Sequence, residues 1–178
     1  MRTNKLIVRN KALIKLLNKT QIELRKKCKQ DTKYYSQLLR KLIFEGLVRM
    51  MEPEVIIYPL QRDKALVQEI IEDCKVDYEE LTEKELGEKR EIVIRIADSN
   101  YLIERNLIDL TSVDIADITD DHEDSIKLTN QEDDKICFGG VVLKDVTERI
   151  ICKNTLDLRT EMAFQQLLPE IRKIMFTQ

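Results

Sequence analysis

Residues 4–29 hold neither Pro nor Gly and consist largely of Lys, Arg, Leu, Ile and Gln, all tolerant of helix. Such a run has one economical solution, a helix of about 26 residues and about 39 Å. Leu6, Leu13, Leu17, Leu24 and Cys28 fall on one stripe of it, with Ile7 and Ile14 beside them. Intervals of both seven and eleven residues connect these positions. Those are the repeats of left- and right-handed supercoils, and both remain open over so short a span. A single apolar stripe on a basic helix needs another helix to cover it.

The rest of the chain divides by charge. Residues 1–49 carry a net +11, 50–97 a net −6, 98–134 a net −10 and 135–178 a net +2. A basic head and an acidic insert point to internal pairing or to two differently charged partners. With only four Gly and three Pro in 178 residues, helix should dominate. No apolar run reaches the ~18–20 residues a membrane crossing needs, and the N-terminus lacks the apolar core of a secretory signal. The four Cys, at 28, 74, 137 and 152, form no close pair. They read as reduced, partly buried thiols of a cytosolic chain rather than zinc ligands.

Further along, Asp31 can cap a second helix whose apolar positions run Tyr35, Leu38, Leu39, Leu42, Ile43, Leu47, Met50 and Met51, ending before Pro53. Val55–Tyr58 reads as a strand closed by Pro59. Leu66, Val67, Ile70, Ile71 and Cys74 mark a third helix, expected to fray through the Glu-rich stretch to Gly87. Residues 91–96 read as a strand. The acidic insertion, about 103–134, is expected to be a solvated loop. Two strands, 136–143 and 148–152, suggest a hairpin turning near 144–147. Asn154 or Thr155 should cap the last helix, whose buried face would carry Leu156, Ala163, Phe164, Leu167, Leu168, Ile171, Ile174 and Met175. Pro169 should kink or restart it. The order α–α–β–α–β–insert–β–β–α predicts an α+β fold, with an N-terminal helical arm (1–29) before a head (30–178) built on a small four-stranded sheet packed with helices.

Catalytic signatures do not emerge. His122, the only imidazole, sits among Asp120, Asp121, Glu123 and Asp124, which lack the glycine and terminal glutamate of a calcium loop. Gly139-Gly140 lies in apolar strand sequence and lacks a phosphate loop's Lys-Ser/Thr, so it reads as a close approach of backbone or a bulge. No catalytic residue, metal ligand or cofactor is assigned. The basic first helix leaves nucleic-acid binding as the competing function, although aromatics for stacking are sparse.

Residues 137–176, CFGGVVL…RIICKNTLDLRTEMAFQQLLPEIRKIMF, resemble the closing signature of the E-type subunit of the V-type (vacuolar) proton-translocating ATPase. The positions that match are Gly139, Gly140, Val141, Asn154, Thr155, Leu156, Asp157, Arg159, Gln165, Gln166, Leu167, Leu168, Pro169, Glu170, Ile171 and Arg172. Upstream, Tyr35, Leu38, Leu39, Gly46, Leu47, Glu52 and Pro53 fit as well. The chain departs from that pattern in a shorter N-terminal helix, a longer acidic stretch, Thr160 where Leu is common, and a hairpin without Asp-Gly.

The resemblance implies a non-catalytic stator subunit. It would pair with a G-type subunit as a stalk, hold the catalytic A/B ring against rotation during proton transport, and have C- and H-type subunits as further neighbours. It implies peripheral placement on the cytoplasmic side of vacuolar and other endomembranes, reached through the complex, and no nucleic acid. Leu6, Leu13, Leu17, Leu24, Arg159 and Arg172 are the candidate partner contacts. Arg159 and Arg172 would meet carboxylates either within the domain or across an interface. Gly139, Gly140, Asn154, Thr155, Leu156 and Pro169 form the structural signature.

Overall fold

The Gly- and Pro-free N-terminal stretch is one helix. In the computed structural model, which describes residues 2–99, 101–105 and 135–176, α1 spans Arg2–Gln30. Asp31 ends it and begins the next helix, its carboxylate accepting the Tyr34 N–H at 2.9 Å. That cap satisfies one of the orphan donors of α2 (Thr32–Met50). Met51, left-handed at φ 54, closes α2 by donating its N–H to the Leu47 carbonyl.

β1 (Glu54–Pro59) alternates half-buried and buried residues, as a strand with one face on a core must. A short 3-10 turn, Gln61–Asp63, leads into α3 (Lys64–Leu86). The expected fraying of α3 does not occur. Tyr78 and Thr82 are buried on its inner face, Lys89 pairs with Glu79 at 3.1 Å, and Gly87 at φ 73 supplies the terminating turn. β2 (Val93–Ile96) then pairs parallel to β1, two residues shorter than the 91–96 expected.

The four-stranded sheet has the order β2-β1-β5-β6, with β5 (Gly140–Asp145) and β6 (Ile151–Thr155) antiparallel to their neighbours. Val55 and Ile57 of β1 and Val141 and Leu143 of β5 face α2 and α3 across the main core. Gly46 is what allows α2 so near β5, because a Cβ there would lie 2.6 Å from Leu143 Cδ1. The fold is α+β, as the element order predicts.

Two strand expectations need correction. Residues 136–143 are not one strand: β4 (Ile136–Cys137) pairs parallel with β3 (Ile103–Glu104) in a separate two-stranded sheet, and β5 starts only at Gly140. The break has a physical cause. Gly140 sits at φ 97, and a Cβ there would meet Asn154 O at 2.5 Å and Thr155 Cα at 2.7 Å. The start of the acidic insertion, residues 103–104, is therefore strand rather than loop; residues 106–134, with His122 and its acidic neighbours, lie outside the described residues. The hairpin turns later than 144–147, between Asp145 and Ile151. Asp145 organises that turn, accepting from Ile150 N at 2.9 Å, Thr147 N at 3.2 Å and the Thr147 hydroxyl.

The last helix, α4 (Leu156–Phe176), is capped by Thr155, whose hydroxyl accepts the Leu158 N–H at 3.4 Å. Asn154 is occupied elsewhere, donating to the Leu42 carbonyl at 2.7 Å and so tying β6 to α2. The hydrogen-bonded helix runs on through Pro169 without restarting. α4 lies antiparallel along α1, with Phe164 beside Leu17 and Phe176 beneath Arg9. Its expected buried face is correct only at Leu156. Phe164, Leu168 and Ile171 are half-buried, while Ala163, Leu167, Ile174 and Met175 are exposed, because a single partner helix covers only a narrow stripe.

Candidate functional site

What α1 can do depends on how it is held. Near its C-terminal end Arg25 and Lys29 project one turn apart. Both reach Glu104 on β3, Arg25 Nη2 at 2.8 Å and Lys29 Nζ at 3.1 Å from the same Oε1. Arg62, from the 3-10 turn, approaches that oxygen too, at 2.5 Å. Burial alone would push the Glu104 carboxyl up, but the hydrogen bonds from Arg25 and Lys29 and the charge of Arg62 outweigh it and hold it at about 2. One carboxylate thus clasps the arm helix and the head together.

Arg62 continues inward. Its Nη2 donates to the Phe138 carbonyl at 2.9 Å and its Nε to Asp63 at 3.3 Å. Asp63 also accepts the Tyr35 hydroxyl at 2.5 Å, and that hydroxyl accepts the Gly140 N–H at 3.2 Å. Burial raises the Asp63 carboxyl above its ordinary value despite the Tyr35 and Arg62 hydrogen bonds, and burial with the Asp63 charge raises Tyr35. A second anchor lies at the start of α4. Asp157, fully buried, accepts the Phe138 N–H at 2.7 Å and faces Arg105 at 3.4 Å. Burial pushes its carboxyl up, partly offset by those two donors.

The buried Arg25 Nε has no hydrogen-bond partner among the described residues, and these groups place no nucleophile beside a base. Burial pushes the Cys74 and Cys137 thiols up to about 12, and Cys28 and Cys152 upward as well, so none is poised as a thiolate. Among the described residues no cluster of His, Cys, Asp or Glu could hold a metal ion. No helix among them is long and apolar enough to cross a membrane.

The partner candidates named from sequence separate in the structure. Leu13 and Leu17 are buried within the chain, with α4 covering Leu17, and Leu24 is half-buried at the edge of the main core. Only Leu6 stands open, 63% exposed, with Ile7 and Val8 beside it. Of the two partnerships open to Arg159, the structure shows the internal one: Nη1 reaches Glu45 at 2.5 Å and Asn154 Oδ1 at 2.9 Å. Arg172 has no ion pair among the described residues. Gly139, Gly140, Asn154, Thr155 and Leu156 do converge: the Gly139 carbonyl accepts the Leu156 N–H at 2.9 Å where β5, β6 and α4 meet. Pro169 lies apart from them, on the outer half of α4.

Sequence reasoning misses Glu104, Arg62, Asp63, Gln21 and Arg25. Glu104 is hidden in an acidic run. Gln21 and Arg25 carry a usable signal, being polar residues at four-residue intervals beyond Leu17 on a helix with one buried face.

α1 is thus laid along α4 and joined by charge to an α+β head. The ATP synthase (E/31 kDa) subunit family model matches residues 1–176, and the chain belongs to that family. Among its relatives, the E2 subunit of the V-type proton ATPase of Arabidopsis thaliana is 32% identical over 142 residues, 80% of this chain and 50% of the relative. The E-type subunit of the Spinacia oleracea V-type proton ATPase is 30% identical over 146 residues (82% and 52%), and that of Manduca sexta 31% over 147 (83% and 49%). The chain spans about half the length of these relatives.

Proposed function

We propose that the chain is a non-catalytic peripheral-stalk subunit of a V-type proton-translocating ATPase. In this reading residues 1–29 are the end of the stalk helix, and residues 30–178 are the head that holds the catalytic A/B ring. A G-type subunit pairs with the arm, C- and H-type subunits are further neighbours, and the complex places the chain on the cytoplasmic face of endomembranes. Family membership supports the reading, and the observation that carries it is the mounting of α1. A stator must pass torque from helix to head without slipping. Here α1 is tied through Glu104 to β3, through Leu24 and Cys28 to the main core, and through Leu17 to α4. Many small packing contacts and a charged clasp resist twisting better than one flexible linker.

The test is capture of assembled A/B ring by the immobilised chain together with a G-type subunit. Retention of the ring, lost when the chain is omitted, supports the reading. A ring that flows through unretained counts against it.

A further inference from the structure

Glu104 and Arg105 are neighbours in sequence but grip different helices. The Glu104 carboxylate reaches Arg25 and Lys29 of α1, whereas Arg105 pairs with Asp157 at the start of α4. Successive side chains of an extended chain leave on opposite sides, so the two grips share one stretch of backbone. The Arg105 N–H donates to the Cys137 carbonyl at 2.8 Å and lengthens the β3–β4 ladder by one bond. Asp157 then takes both strand ends at once, Oδ1 facing the Arg105 guanidinium and Oδ2 accepting the Phe138 N–H. Arg62 holds the Phe138 carbonyl, so that residue is gripped through both of its backbone polar groups.

Two strands of two residues each do not hold a position by themselves. The outward side gives the ribbon little help, since Ile103 is 57% exposed. Its place is set by what flanks it. Before Glu104, Leu102 donates its N–H to the Pro59 carbonyl and packs with Cys137 on Leu60 and Val142. After Glu104 comes the Asp157 anchor, a fully buried carboxylate.

We propose that the β3–β4 ribbon is a strap whose seating on Asp157 locks the C-terminal end of α1 to the head. Seated, Asp157 fixes both strand ends and presents Glu104 to Arg25 and Lys29. Unseated, the ribbon moves away, the Glu104 clasp opens, and α1 keeps only its apolar contacts at Leu17, Leu24 and Cys28. A buried ion pair adds little net stability, and its use here is to select one seating of the ribbon. The lock is therefore worked from α4, through a pair that is not itself an ion pair to α1. The strap goes beyond the stator reading and does not depend on it, because its test uses this chain alone.

The test is hydrogen–deuterium exchange of the full chain, read by mass spectrometry in residues 22–30 of α1, with 64–86 of α3 as reference. Glu104→Gln opens the clasp directly and should speed exchange in 22–30 about fivefold. Arg105→Gln should give a similar increase there and leave 64–86 unchanged. The double variant should stay at about fivefold, because one lock opens only once, whereas independent contacts would multiply to about 25-fold. Exchange in 22–30 at the parental rate in Arg105→Gln, or multiplied effects in the double variant, overturns the proposal. If Arg105→Gln also speeds 64–86, Asp157→Asn, which keeps the size of the anchor and removes its charge, is scored by the same two criteria.

Discussion

Arg25 and Glu104 lie 2.8 Å apart, joining an arm helix to a strand 79 residues further along the chain. The Glu104 carboxyl is held at about 2 against an ordinary 4.5, so its contribution is complete above about pH 5 and is lost as pH falls through 2. A third of the side chain is exposed, and water and salt screen the interaction. Glu104→Gln should therefore cost only about 1 kcal/mol at pH 7. Its stability should fall less steeply between pH 5 and 2 than that of the parent, as read by thermal melts across that range. Identical pH profiles would show that the clasp carries no net energy.

Tyr35→Phe removes the hydroxyl that donates to Asp63 and accepts from Gly140. Two buried groups lose a partner, so a loss of about 2–3 kcal/mol is expected in urea unfolding at pH 7. The sign with pH is distinct from that of Glu104. Asp63 is already raised by burial and rises further without the Tyr35 donor, so the variant's deficit should shrink as acid protonates it. A deficit that stays constant from pH 7 to pH 4 contradicts this account.

Gln21 is wholly buried on α1, yet its Oε1 has no hydrogen-bond partner among the described residues, and its Nε2 reaches Thr160 only at 3.4 Å. Thr160 is already satisfied by the Leu156 and Asp157 carbonyls, both at 2.8 Å. Gln21→Leu, a change of similar size, should raise stability by about 1 kcal/mol in urea unfolding. Adding Thr160→Leu, the residue the family pattern favours there, should not reverse the gain.

The hairpin holds two backbone positions of opposite promise. Gly140→Ala forces a Cβ into backbone at a positive φ and should cost about 3 kcal/mol or more. Glu148, a non-glycine at φ 55, pairs with Lys144 only on the surface. Glu148→Gly should raise stability by about 0.5–1 kcal/mol, measured as a shift in Tm. A loss in the second variant would mean that the surface pair outweighs the backbone strain.

Helices are the most legible part of the chain, because periodicity and caps are local: Asp31 announces α2, and Thr155 is one of two residues expected to cap α4. Errors arise where distant residues decide. Nothing local says that Asn154 and Thr155 crowd Gly140 and split 136–143, or that Tyr78 and Thr82 are buried and keep α3 from fraying. The stripe on α1 is a contact surface, as its pattern implies, but its partner at Leu17 is α4 of the same chain. The apolar pattern on α4 overstates its burial for the converse reason, since periodicity records which residues favour contact and not whether this chain supplies it. The charge network on Glu104 is illegible because its members come from three separated segments.

In the proposed function this chain works as a brace, by partnership. Its most direct test is to co-express the full chain with a G-type subunit and measure the mass of the purified material by light scattering. The account predicts a stable one-to-one complex heavier than the 21.0 kDa chain by one G-type subunit. Elution of the two chains as separate species would contradict it.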